Sequence, residues 1–195
     1  RLGRFDEAET AMGLAEAYAG ETGLPPNAAV PAAARFLFLR RDVSGLESLL
    51  AKLSTWEIPA VKPLVSAYRS YAEALLSVMR EEPIERVHSL FARAETEAAR
   101  WPFFHRDVLV FQTSALVASG RVREARLALR HIARLLDSYP SPWGSAHVLR
   151  LEGMLLCLSG DWLHGKKLLE DATSTFELAR DTPDALLVKY MKARF

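Results

Sequence analysis

Leu149-Arg150-Leu151-Glu152-Gly153-Met154-Leu155-Leu156-Cys157-Leu158-Ser159, followed by Gly160-Asp161-Trp162-Leu163-His164-Gly165, is the stretch on which the fold turns. Before Gly160, the residues Leu149, Gly153 and Leu156 recur at steps of four and three, one stripe of a helix. After it, Trp162, Gly165, Leu168, Leu169 and Ala172 make a second stripe. Gly160 can take the left-handed conformation that ends one helix before the next begins. The stretch therefore reads as a helical hairpin. Gly153 is small enough for two helix backbones to approach closely while larger neighbours fill the groove.

Working outward, the same turn recurs: a bulky residue, then a smaller or aliphatic one three positions later. It stands at Gly3-Arg4-Phe5-Asp6-Glu7-Ala8, Arg41-Asp42-Val43-Ser44-Gly45-Leu46, Glu82-Pro83-Ile84-Glu85-Arg86-Val87, Gly120-Arg121-Val122-Arg123-Glu124-Ala125 and Gly160 to Gly165. The bulky members Phe5, Val43, Ile84, Val122 and Trp162 are separated by 38, 41, 38 and 40 residues. The hairpin around Gly120 repeats the two stripes, with Leu109, Thr113 and Leu116 before the turn and Val122, Ala125, Leu129 and Ile132 after it. A period near forty signals a repeat architecture.

Prolines punctuate the hairpins at Pro25-Pro26, Pro59, Pro102, Pro140 with Pro142, and Pro183, since proline interrupts a helix or sits in its first turn. Thr182-Pro183 is a helix start, a capping hydroxyl followed by proline at the first helical position. Helices are predicted over 5–21, 28–40, 43–54, 60–80, 84–100, 104–119, 122–138, 143–159, 162–179 and 183–195. Pro31 and Pro63 push the starts of the second and fourth helices later. No segment alternates with a period of two, so no sheet is expected. The expected fold is all-α: a single repeat domain over 1–195 in which stacked hairpins share one core, because one hairpin cannot bury its apolar face alone. A four-helix bundle repeated twice is the competing architecture, and the near-constant period argues against it.

Composition is that of a soluble folded chain: 195 residues, half hydrophobic and a quarter charged. A net charge of +1 gives no global pull toward nucleic acid or anionic lipid, so an electrostatic partner has to be met by a local patch. The single cysteine, Cys157, excludes an internal disulfide and a cysteine-only zinc site. No run approaches the roughly 18 apolar residues of a membrane span, and no basic start leads into an apolar signal region. A cytoplasmic setting is expected, with no membrane partner. The chain opens on Arg1 with a repeat turn already under way, so it reads as a segment of a longer protein.

The Gly-x-aromatic-x-x-Ala turn, after a helix with a small residue at its centre, resembles the tetratricopeptide repeat, at a longer spacing than the usual ~34 residues. Repeats of this length look like the superhelical sensor region of the large ATP-dependent bacterial regulators of the MalT and LuxR type. Leu149 to Asp161 is similar to the Arg-Leu-x-Gly-x-Leu-Leu…Gly-Asp run of that family, and Gly3 to Ala8 followed by Ala15-Glu16-Ala17 has the same character. The resemblance implies a right-handed superhelical stack whose first helices line a concave groove. It also implies a sensor module lying between a nucleotide-binding module and a DNA-binding helix-turn-helix. No Gly-x-x-x-x-Gly-Lys-Ser/Thr phosphate loop occurs in this sequence, so this segment is expected neither to hydrolyse ATP nor to read an operator.

Carried over, that register places Asp107, Val110, Ser114 and Val117 on one inner wall and His147, Arg150, Met154 and Cys157 on the next. Tyr68 and Tyr71 come from the hairpin before. Polar ends with an apolar middle suit a protein segment, a peptide or a small effector. A general interaction scaffold without a transcriptional link is the alternative.

The residues suggest no catalysis, metal or cofactor. His88, His105, His131, His147 and His164 never pair at a spacing of three or four. Cys157 reads as a buried small apolar residue, and Glu81-Glu82 and Glu95 with Glu97 as solvated helix faces. No serine, histidine and aspartate constellation points to acyl transfer. One charge pattern remains. Arg123, Arg126, Arg130 and Arg134 recur at steps of three, four and four on one predicted helix. Such a stripe is either a solvated outer face or a holder of phosphate or an acidic partner, and a nucleic-acid-binding repeat would rest on it alone. At the ends, Leu186, Leu187, Tyr190, Met191 and Phe195 lack a second helix, which predicts exposed apolar surface and self-association.

Overall fold

The structure, a computed structural model, describes residues 29–55, 62–178 and 182–194, and every regular element among them is an α-helix. In order these are α1 (Ala29–Leu39), α2 (Val43–Ser54), α3 (Lys62–Met79), α4 (Ile84–Ala98), α5 (Pro102–Ala118), α6 (Val122–Ser138), α7 (Pro142–Leu158), α8 (Trp162–Leu178) and α9 (Thr182–Arg194). They lie where the periodicity puts them, with ends shifted by at most two residues. The helix expected over 5–21 and the turn at Gly3 lie outside the described residues. Pro31 and Pro63 sit in the first turns of α1 and α3, where a missing N–H costs no intrahelical bond.

The chain falls into two compact units; of the described helices, the first unit holds α1–α4 and the second α5–α9. In the first, α1 and α2 pair, α3 packs on both, and α4 pairs with α3. In the second, α5 pairs with α6 and α7 with α8, α7 also packs on α5 and α6, and α9 docks on α8. Within each unit every helix thus packs on its sequence neighbour, and α1 with α3 and α5 with α7 also pack first helix on first helix. That asymmetry sets composition. Eleven of the 18 residues of α3 are buried against four of 15 in α4, so the first helix is enclosed on most sides and the second shows one face to water.

The four described turns share one backbone solution. Asp42, Glu82, Arg121 and Asp161 donate their N–H to Leu37, Ser77, Leu116 and Leu156 at 2.9–3.1 Å, while Arg41, Glu81, Gly120 and Gly160 donate to Phe38, Val78, Val117 and Cys157 at 3.0–3.2 Å. This is the Schellman closure, and it requires a left-handed residue at its centre. The four central residues have φ of 56° (Arg41), 55° (Glu81), 73° (Gly120) and 91° (Gly160). Two of the turns then open with an aspartate cap. Asp42 accepts from Gly45 N at 2.8 Å, and Asp161 accepts from His164 N at 3.4 Å, with the His164 ring nitrogen Nδ1 2.9 Å from the same carboxylate. These bonds hold both carboxyls below the usual carboxylate range.

Helix crossings follow from the residue three after each bulky turn member: Leu46, Val87, Ala125 and Gly165 are all buried. At the last of these, α7 and α8 touch backbone to backbone. A Cβ on Gly153 would lie 2.8 Å from Gly165 O, and one on Gly165 would lie 2.5 Å from Cys157 Sγ. Around this crossing Ala146, Cys157, Leu169, Ala172, Phe176, Ala185 and Val188 form one apolar cluster. Burying a side chain of the size of Leu169 or Phe176 contributes roughly 1.5–3 kcal/mol. The Cys157 thiol is part of this packing, and burial pushes its pKa up.

At the C-terminal end, α9 buries Ala185 and Val188, and Lys189 pairs with Glu177 at 2.6 Å and Lys192 with Glu170. Leu187 and Met191 are half-buried there. The side chains of Leu186 and Tyr190, and Phe195, lie outside the described residues. No described helix is long and apolar enough to cross a membrane.

Candidate functional site

In the second unit, residues 107, 110, 114, 147, 150 and 154 belong to α5 and α7, first helices that pack on one another. Their side chains divide into two kinds. Val110, His147 and Arg150 are buried, at 0%, 2% and 3% exposure, whereas Asp107, Ser114 and Met154 are half-buried. A ligand approaching this face would meet the second set and be backed by the first. Val117 and Cys157 are interior.

Half-buried Ser114 and the buried polar residues form a chain that crosses three helices. Ser114 Oγ, on α5, donates to Val110 O at 2.8 Å, which leaves its lone pairs to accept from Arg150 Nη2, on α7, at 2.7 Å. One turn earlier on α7, His147 Nδ1 accepts from Arg150 Nε at 3.2 Å. A ring nitrogen that accepts from a guanidinium carries no proton, so the imidazole proton belongs on Nε2. Nε2 stands 3.4 Å from Asp184 Oδ2 on α9. Arg150 Nη1 also reaches Met191 Sδ at 4.0 Å. The histidine ring is fixed edge-on between Trp143 (centroids 4.2 Å apart) and Phe176 (4.8 Å). Neutral His147 thus bridges one buried cation and one buried anion, which keeps the interior near neutrality, as buried charge demands.

A second buried cation lies alongside. Arg106, 8% exposed, donates to Asp107 Oδ1 through Nε (3.2 Å) and Nη2 (2.9 Å), and its guanidinium lies over Trp143 and Phe103 at 5.3 and 5.7 Å. Gly144 leaves room for it, since a Cβ there would stand 3.0 Å from Arg106 Cδ. Asp107 is therefore already engaged within the chain.

In the first unit, Tyr68 and Tyr71 are 3% and 1% exposed. Burial pushes the Tyr68 phenol well above its ordinary range. Both rings belong to the core of α3 rather than to a surface a ligand could reach. Glu97, read from the sequence as solvated, is half-buried and accepts from Ser66 Oγ at 2.8 Å and Ser70 Oγ at 2.7 Å, tying α4 to α3. Glu82 likewise accepts from Ser77 at 2.7 Å.

Sequence reading missed Asp184 and Arg106. Nothing local marks Asp184, near the start of α9, as the partner of a histidine 37 positions earlier. Only the register between successive first helices does. It also missed that His105 and His131 meet edge-to-face at 5.0 Å, because they face each other across a hairpin rather than along one helix. No family model, curated protein or solved structure matches this chain.

Proposed function

We propose that this chain is the sensing and interaction part of a larger bacterial transcriptional regulator of the type its repeats resemble. In this reading the hairpins form a right-handed tetratricopeptide-like superhelix, and a protein, peptide or small effector is taken on the first-helix face. The observation that carries the proposal is the buried chain Ser114–Arg150–His147–Asp184 across three consecutive first helices. A buried polar network has few alternative geometries, and a broken one is costly. A ligand that shifts α5 against α7 through the half-exposed Ser114 and Met154 therefore has to move α9 as well or break a buried bond. That is the coupling a sensor needs between an occupied site and the domain that follows.

Two measurements test this. With a photo-crosslinking side chain in place of Met154, in the intact parent protein in its own cells, a discrete adduct is expected. The same side chain in place of the exposed Ser174 on α8 is expected to give none. Adducts at Ser174 alone would overturn the assignment of the face. The regulator setting is tested by the coding sequence on either side: a phosphate loop upstream and a helix-turn-helix downstream support it, and unrelated flanking domains reduce the reading to a general interaction scaffold.

A further inference from the structure

The arginines of α6 stand on a different surface. Arg123, Arg126, Arg130 and Arg134 are all exposed and form one stripe of about 16 Å along the helix, at ~1.5 Å per residue. Several other surface arginines are matched. Arg69 pairs with Glu73, Arg86 with Glu82, Arg93 with Glu97, and Arg121 beside the stripe with Glu124. Arg123, Arg130 and Arg134 meet no carboxylate among the described residues, and Arg126 donates only to the neutral Ser159 Oγ, at 3.0 Å. Four guanidinium groups on one face with no counter-charge repel one another, and a solvated face gains nothing from that arrangement.

The stripe also borders a shallow groove lined by Val122, Arg123, Arg126, Leu127 and Arg130. Leu127 is 53% exposed, an apolar floor between cationic rims. We infer that this groove docks an acidic amphipathic peptide segment of a partner protein. Its carboxylates, three and four residues apart, would meet the arginines, and one apolar side chain would cover Leu127. Neighbouring arginines one turn apart match carboxylates one turn apart on a partner helix. Guanidinium binds carboxylate in bidentate fashion. The apolar floor, and the lack of an aromatic ring in the groove lining, favour a peptide over nucleic acid, whose bases need stacking platforms.

The test uses the full chain and a synthetic helical peptide of about four turns. The peptide carries glutamates at three- and four-residue spacing on one face and a single leucine among them. Binding is followed by fluorescence anisotropy at about 50 and 200 mM salt, which brackets the range where surface charge is progressively screened. The expected result is binding that weakens with salt. Arg126→Glu with Arg130→Glu should weaken it on the order of tenfold or more, and Leu127→Ala several-fold, with unchanged melting temperatures because these side chains are exposed. A peptide with glutamine in place of glutamate should not bind. No binding by the acidic peptide overturns the inference. So does equal binding by the charge-reversed variant. So does tighter binding of a single- or double-stranded oligonucleotide that is indifferent to Leu127→Ala, which would make the stripe a phosphate-backbone site instead.

Discussion

The two units solve one backbone problem with different side chains. In the second, glycine supplies the left-handed turn residue at Gly120 and Gly160, and small residues, Ala125 and Gly165, stand where second helix meets first. In the first, Arg41 and Glu81 hold the same left-handed turn, and the larger Leu46 and Val87 fill the same crossing position. The polar links differ as well. Serine hydroxyls on one carboxylate, Glu97, join the helices of the first unit, whereas a guanidinium, an imidazole and a carboxylate cross the second. The repeat is thus a property of hydrogen-bonded turns and packing register. The residues that advertise it are only one way of meeting those demands.

The largest effect expected from breaking this difference is at Asp184. Asp184→Ala removes the buried carboxylate that faces His147 Nε2 and should cost about 2–3 kcal/mol, the upper range for leaving a buried polar group without its partner. Ser66→Ala in the first unit, which deletes one of two hydroxyls on Glu97, should cost only about 1 kcal/mol. Urea unfolding of each variant checks the ordering, and equal losses would show that the buried network adds nothing special to the second unit. Next comes the close crossing. Gly153→Leu forces a side chain against Gly165 O and should cost roughly 1–3 kcal/mol through overpacking. An unchanged melting temperature would mean that α7 and α8 do not meet there.

The same difference explains how much the sequence disclosed. Among the described residues, helix existence and boundaries were legible, because period and proline placement survive any choice of side chain. The hairpin at 149–172 was the clearest, since Gly153, Gly160 and Gly165 announce its turn and its close approach together. The register of the first unit was harder to read, because Arg41 and Glu81 carry no conformational signature and the crossing is made by ordinary aliphatics. The candidate site was half legible. Ser114, His147, Arg150 and Met154 were placed on first helices by the register that the resemblance implies, and the structure brings Ser114, Arg150 and His147 into one chain. That His147 and Arg150 are interior was not readable. Polarity suggested a surface, and only tertiary packing shows that Arg150 and His147 exchange water for each other and for Ser114 and Asp184.

The claim at the centre of this account is that positions 41, 81, 120 and 160 are one and the same turn position, left-handed whatever residue occupies it. The most direct measurement is the sign of the stability change on exchanging glycine there, read by urea unfolding. Arg41→Gly and Glu81→Gly should each stabilise the chain by roughly 1 kcal/mol, by removing the left-handed penalty of an L-residue. Gly120→Ala and Gly160→Ala should each destabilise it by a similar amount, although nothing stands within 4 Å of the added Cβ at either position. Opposite signs in the two units would bear the account out. A loss of stability on placing glycine at 41 and 81, as in an ordinary helix interior, would contradict it.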